Sequence, residues 1–236
     1  MATGSKSSGD PARTLALLWR TPQSSAGRRG PRPSLDVDRI VAAAVQLADG
    51  EGLAALSMRR VAMELGVAVM TLYSHVPAKG DLVDLMVDSV LGELYPEEQS
   101  VTSGNWRARL EAVARANWAF FLHHPWALQV VTPEPPPGPN RMRKYELELR
   151  AVDGLGLSEV QMDLLVRLVN GFVRGTVGGV HEQIPAEHPE RFPTAARVTP
   201  VAGAELRGTD AAERSFEFGL ERLLDGVGVL ILNPAR

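Results

Sequence analysis

The stretch SMRRVAMELGVAVMTLYSHVPAK, Ser57 to Lys79, decides the reading of this chain. Two short helices that cross steeply need a small residue where they touch, a residue free to take φ > 0 in the turn, and apolar side chains that lock the pair. Ala62 is the small residue, Gly66 sits in the turn, and Val61, Leu65, Val67 and Leu72 supply the lock. The spacing Ala-x3-Gly-x5-Leu is that of a helix-turn-helix, although it fits any two short packed helices with a glycine between them. Ser57 caps the first helix and Val69 to His75 forms the second. At 1.5 Å per residue the second helix is about 10 Å long, comparable to a major groove about 12 Å wide.

With Leu72 turned inward, Val69, Met70, Thr71, Tyr73, Ser74 and His75 divide between DNA and packing. Thr71, Tyr73 and Ser74 carry groups that hydrogen-bond bases or phosphates, and Val69 and Met70 suit thymine methyls. Arg59 is placed to reach a guanine or a phosphate. Lys79 and the start of the next helix, capped by Asp81, are placed to hold the DNA backbone.

Outward from this core the periodicity stays helical. Ser34 or Asp36 caps a helix whose apolar residues Val37, Ile40, Val41, Ala44, Leu47 and Ala48 form one stripe, ended by Gly50 and Gly52. Leu82, Leu85, Met86 and Val90 point inward on the helix after the motif. Trp106, Leu110, Val113, Asn117, Phe120 and Phe121 share a further face. A proline-rich loop separates it from a helix with Met142, Tyr145, Leu149 and Val152. Ser158 to Gln161 is a capping box that opens a long helix to about His181. A loop broken by Pro185, Pro189, Pro193 and Pro200 follows. Asp210 then starts a last helix bearing Phe216, Leu220, Leu223, Leu224 and Val227. Period-2 alternation is absent, so the fold class is all-α.

Composition and charge narrow the function. Hydrophobic residues make up 44% of the 236 and charged residues 22%, as in a globular protein with a sizeable core. Cysteine is absent, which removes disulfide frameworks, thiolate metal sites and cysteine nucleophiles. The longest apolar run, Leu164 to Val180, is broken by Arg167, Asn170 and Arg174, so no membrane span is expected. No secretion signal is recognisable, and the cytoplasm is the expected location. Residues 1 to 82 hold 10 Lys and Arg against 7 Asp and Glu, and the remainder 15 against 21. A positive end on an acidic body suits a nucleic-acid reader with a separate second domain. Residues 1 to 33, rich in Gly, Ser, Pro and Arg, read as a flexible arm. Its patch Thr14 to Arg20 is apolar enough to dock, and Arg28, Arg29 and Arg32 are placed to lie on phosphates or in the minor groove.

The segment LYSHVPAKGDL, residues 72 to 82, resembles the end of the DNA-binding domain of TetR-family transcriptional regulators. The likeness extends back through Ile40 to Ala44, Gly52-Leu53, Ser57 to Ala62 and Leu65 to Val67, about 50 residues in all. The resemblance implies a three-helix helix-turn-helix domain (34–81) followed by a larger helical ligand-binding and dimerisation domain (82–236). It also implies a ligand-responsive homodimer, most simply a repressor of a palindromic double-stranded operator. Arg59 and Val69 to Ser74 would meet bases, while Thr71, Tyr73, His75 and Lys79 would mostly hold or orient against the backbone.

More faintly, the C-terminal half resembles the tetracycline-repressor type, whose last two long helices form an intersubunit four-helix bundle. Here these would be Ser158 to His181 and Asp210 to Leu232, with Gly171, Gly175, Gly178 and Gly179 allowing close approach between subunits or within one. Asn117 and Phe121 resemble a ligand-contacting pair of that type. The Mg²⁺-binding histidine has no counterpart near Val130 and Val131, which speaks against a tetracycline–metal ligand but not against the pocket location, and no cofactor is expected.

Asn117 stands out as an amide on an apolar stripe, where it would bond either a ligand or a neighbouring helix. Trp118, Phe121, Trp126 and Met142 are the remaining candidates for an apolar effector pocket, with ordinary core packing as the alternative. His123 and His124, adjacent on a helix, would point apart and make poor joint metal ligands. His181-Glu182 lacks the histidine of a zincin, since position 185 is Pro. No Gly-x-Ser-x-Gly, phosphate-binding or dinucleotide fingerprint occurs, and nothing supports catalysis. The rival to a regulator is a module of the same fold that sequesters small molecules or binds proteins and has lost specific DNA binding.

Overall fold

The computed structural model describes residues 10–20, 35–130, 135–178, 188–206 and 210–233. Every regular element among them is helical: α1 (Pro11–Leu18), α2 (Val37–Glu51), α3 (Met58–Leu65), α4 (Val69–His75), α5 (Lys79–Leu91), α6 (Gln99–Thr102), α7 (Trp106–His123), α8 (Pro139–Val152), α9 (Glu159–Gly178), α10 (Pro193–Glu205) and α11 (Ala211–Leu232). Short 3-10 turns lie at Leu53–Ala55 and Pro125–Gln129. The helices form two compact units, one from residues 1–100 with 120–148, the other from 101–119 with 149–236. These units cut across the division expected at 81/82.

In the first unit α2 is the hub, packing on α3, α5 and the Pro125–Gln129 turn. Asp36 caps it by accepting from Arg39 N at 2.8 Å, and Ile40, Val41, Ala44, Leu47 and Ala48 are buried as their period demands. Gly52 stops it at φ +81°.

Residues 10–20 depart from the flexible arm expected over 1–33. Asp10 caps α1, Pro11 presets its first turn, and Thr14 and Leu18 are buried where α1 packs on α5. Trp19 Nε1 donates to the Pro137 carbonyl at 2.9 Å, and Arg20 pairs with Asp38. Asp81 is likewise not a cap. α5 starts at Lys79 after Ala78, and Asp81 lies fully buried in its first turn. Its carboxylate accepts from Thr14 Oγ1 at 2.6 Å and from Arg13 at 2.9 Å.

One cap comes from a distance. Asp88 of α5 is buried and accepts backbone N–H groups of Asn140 (3.4 Å) and Arg141 (3.0 Å) in the first turn of α8. Gly138 passes so close that a Cβ there would collide with the carboxylate. On α8 the apolar residues divide between core and surface. Leu147, Glu148, Ala151 and Val152 are buried, while Met142 and Tyr145 are exposed. The Glu148 carboxylate is sealed in by Tyr95 Oη at 2.6 Å and Lys144 Nζ at 2.6 Å.

In the second unit α9 packs on α11. The capping box forms as read, with Gln161 N donating to Ser158 Oγ and Ser158 N donating to Gln161 Oε1. Phe216 lies between Trp118 (ring centroids 4.4 Å) and Phe172 (5.8 Å). Where a broken loop was expected, residues 193–205 form α10. Pro193 sits at its first position and Pro200 inside it, and no residue of the helix is buried.

Candidate nucleic-acid interface and effector region

The reading head follows from four local choices. Ser57 Oγ accepts from Arg60 N at 3.1 Å and starts α3. Gly66 ends it in the left-handed region at φ +65°, ψ +34°, where its N–H bonds back to Ala62 and Met63. Val61, Ala62 and Leu72 are fully buried between α3 and α4, with Leu65 and Val67 half-buried around them. Val76 then closes α4 and is itself buried.

Fixing Leu72 inward fixes what faces out. Met70 is 76% and Tyr73 38% exposed. Thr71 and Ser74 are exposed, and Val69 and His75 are half-exposed. Ser74 Oγ donates to the Thr71 carbonyl at 2.7 Å, which leaves its lone pairs outward. Arg59 on α3 and Lys79 at the start of α5 are exposed, and among the described residues neither pairs with a carboxylate. Seven of these eight side chains, from Arg59 to His75, ride on α3 and α4, with Lys79 just beyond. Arg60, by contrast, is held at 2.6 Å by Glu51.

The carboxyl of Asp84, one turn into α5, is pushed above its ordinary range by burial and by the neighbouring Asp81, against a smaller opposing pull from Arg141.

The five effector candidates separate. Asn117 and Trp118 belong to the second unit; Asn117 is buried, its Nδ2 donating to the Val113 carbonyl at 2.9 Å, and Trp118 is half-buried against Phe216. Phe121, Trp126 and Met142 belong to the first unit. Trp126 is 1% exposed and its Nε1 donates to Asp49 Oδ1 at 2.6 Å, a use the sequence did not suggest. Phe121 is buried edge-on to Phe120, and Met142 faces solvent. In the second unit an open groove between α7 and α11 is lined by the charged groups of Arg107, Glu111, Arg115, Glu217 and Glu221 together with the apolar Phe218, Leu220 and Leu224. Arg115 grips Glu217 with two bonds (2.5 and 2.9 Å), and the guanidinium holds that carboxyl below its ordinary range.

One expectation is corrected. His123 and His124 do not point apart, because α7 ends at His123 and His124 precedes Pro125. Proline disfavours helical backbone in the residue before it, and His124 takes φ −119°, ψ 67°. Its ring folds back against His123, centroids 4.5 Å apart, and is 2% exposed. Of the basic arm, Arg28, Arg29 and Arg32 lie outside the described residues, as do Ser34, Val131, Gly179 and the His181-Glu182 pair. Among the described residues no helix is long and apolar enough to cross a membrane.

The comparisons agree with this geometry. The profile of the bacterial regulatory proteins of the tetR family matches residues 40–86, and that of the tetracyclin repressor-like C-terminal domain matches 99–231. The HTH-type transcriptional repressor DrrR1 of Streptomyces coeruleorubidus is 40% identical over 98% of this chain and 90% of its own length. Apo ActR from Streptomyces coelicolor superposes with a TM-score of 0.71 at 28% identity, covering 86% of this chain and all of that one. ActR in complex with actinorhodin superposes at 0.64 and 29% identity, over 83% of this chain and 96% of that one. An all-α chain with an outward-facing recognition helix, matched along both halves, therefore belongs to the TetR family of ligand-responsive, DNA-binding transcriptional regulators.

Proposed function

We propose that the protein represses transcription as a homodimer, its two α4 helices reading half-sites of a palindrome about 34–36 Å apart. The observation that carries this reading is the division of α4: Leu72 buried, and Met70, Thr71, Tyr73 and Ser74 turned to solvent beside Arg59 and Lys79. In this reading Arg59, Val69, Met70 and Ser74 meet base edges, and Thr71, Tyr73, His75 and Lys79 mostly hold or orient against the backbone.

The dimer face is assigned to α9 and α11. Val160, Leu164 and Leu168 are exposed at i, i+4 and i+8, and Gly171 and Gly175 continue the stripe. On α11, Phe218, Val229 and Leu232 are exposed in the same way. Exposed leucines and valines in helical register are the sign of a helix face that another helix covers.

The effector is a small molecule, taken up with contacts from Asn117 and Trp118. It releases DNA by favouring a conformation in which α5 is displaced. Since α5 begins at Lys79, three residues after α4 closes at Val76, such a displacement carries the reading helix with it. The effector shifts the equilibrium only by its differential affinity for the two conformations.

The test is a fluorescence-anisotropy titration against the gene's own upstream DNA and a scrambled duplex at two salt concentrations. Arg59→Ala, Tyr73→Ala is the control, and actinorhodin, the ligand in the ActR complex, is the first effector probe. Salt-dependent binding that prefers the native duplex and is lost in the variant supports the reading. Equal, weak binding to both duplexes and to distant operator candidates favours a sequestering module.

A further inference from the structure

We propose that Glu93, His123 and His124 form a binding site for a divalent transition metal of the Zn²⁺ class, with Asp49 as the outer partner that orients His124. One nitrogen or oxygen from each of the three lies within 4.8 Å of the others. All four residues belong to the first compact unit. His123 closes α7, His124 follows it, and Asp49 lies in the last turn of α2. Glu93 stands on the turn after α5, which is held by Arg143 donating to the carbonyls of Leu94 (3.0 Å) and Tyr95 (2.8 Å) and by the Tyr95–Glu148 bond.

Both ring nitrogens of His124 face carboxylate oxygens: Nδ1 lies 2.7 Å from Asp49 Oδ1 and Nε2 lies 3.1 Å from Glu93 Oε2. A neutral imidazole has one N–H, so one contact sets a lone pair against a carboxylate unless positive charge lies there. In the metal-bound form the N–H sits on Nδ1 and donates to Asp49, whose Oδ1 also accepts from Trp126 Nε1 at 2.6 Å. The Nε2 lone pair then faces Glu93 at 3.1 Å, and the three residues each keep a ligand atom within 4.8 Å of the others. Metal-binding histidines characteristically donate their other N–H to a carboxylate in this way, which fixes the tautomer and raises ligand basicity. A second proton on His124 would satisfy Glu93 but leaves His123 without a role; a metal ion uses all three.

The dimensions fit. Bonds of about 2.0–2.1 Å in a tetrahedral site put ligand atoms about 3.3 Å apart. His124 and Glu93 stand at 3.1 Å already. The remaining closure falls to His123 and to Glu93, whose side chain is 57% exposed, and neither must leave a packed core to make it. Two imidazoles, one carboxylate and a water position suit Zn²⁺, Co²⁺ or Ni²⁺, whereas Mg²⁺ and Ca²⁺ prefer oxygen alone. A bound ion would brace the end of α2, the turn after α5 and the end of α7.

The test uses untagged full-length protein stripped with a chelator and desalted. It is titrated with ZnCl₂ by calorimetry and with CoCl₂ by visible absorption. One ion per chain is expected, with the absorption of low-coordinate Co²⁺ and a Zn²⁺-dependent rise in Tm. His123→Ala and Glu93→Gln change exposed side chains and leave folding intact; each should weaken binding at least about tenfold, and Asp49→Asn about 10- to 100-fold. Absence of saturable binding, or unchanged affinity in both His123→Ala and Glu93→Gln, would overturn the assignment and leave His124 to a proton. None of these readouts depends on DNA binding.

Discussion

Replacing Thr14 by Val should release α1 from α5. The side chains are nearly isosteric, so the change removes one hydroxyl and little else. That hydroxyl donates to Asp81 Oδ1 at 2.6 Å, a short bond of the charge-assisted kind, at a carboxylate with no solvent exposure. Hydrogen bonds to charged groups contribute about 1.5–3 kcal/mol, so a loss of about 2 kcal/mol is expected. Arg13 remains on the other oxygen at 2.9 Å, but its side chain is 39% exposed and compensates little.

An eight-residue helix does not persist alone in water, so undocking α1 means melting it. Native-state hydrogen exchange of the α1 amides is therefore the assay, since it reads local opening directly. A loss of about 2 kcal/mol corresponds to roughly 30-fold faster exchange between residues 14 and 19. Amides of α9 in the other unit serve as the internal control. The effect should survive 1 M salt, because screening acts on the exposed Arg13 and not on the sealed hydroxyl. Acceleration of less than about threefold would show that Leu18 packing holds α1 and that the buried carboxylate does not.

Three further outcomes are expected. Leu72→Ala should cost about 2–5 kcal/mol in urea unfolding, whereas Met70→Ala should leave stability unchanged and weaken DNA binding in anisotropy. Gly138→Ala should cost about 1–3 kcal/mol, seen as a lower urea midpoint, because its methyl displaces the Asp88 carboxylate from the start of α8. Asp84→Asn should raise Tm at pH 7. The folded state raises this carboxyl's pKa above 3.8, so ionisation is penalised as pH rises through the raised value. The gain should vanish on acidification below that range; a gain independent of pH would refute burial as its cause.

The reading head was legible because its determinants are local. Ser57, Gly66 and Leu72 fall within one short stretch, 57–72, and capping, φ > 0 and helical period are all written in adjacent sequence. The misreadings share a different cause. Asp81 looked like a cap because its partners, Arg13 and Thr14, lie 68 and 67 residues away. Apolar type singled out Met142 and Tyr145 on α8, but the buried side carries Glu148, bonded to Tyr95. Two signals were present and missed. Asp10-Pro11 is an N-cap followed by proline at the first helical position, which announces α1. His124-Pro125 announces the end of α7 and hence the convergence of the two histidines. The effector candidates stayed unsettled because aromatic residues on helices serve core and pocket alike, as Trp126 on Asp49 illustrates.

The bonds from Asp49 to His124 and Trp126 bear on how such proteins can be recombined. The compact unit that contains the reading head is discontinuous, taking residues 120–148 as well as 1–100. A chimera that grafts residues 1–100 onto a foreign effector domain leaves Asp49 without both ring partners and Asp88 without the helix it caps. The tradeable module therefore has two pieces, and exchange of specificity between relatives should succeed more readily by replacing the surface of α3 and α4 than by joining whole domains.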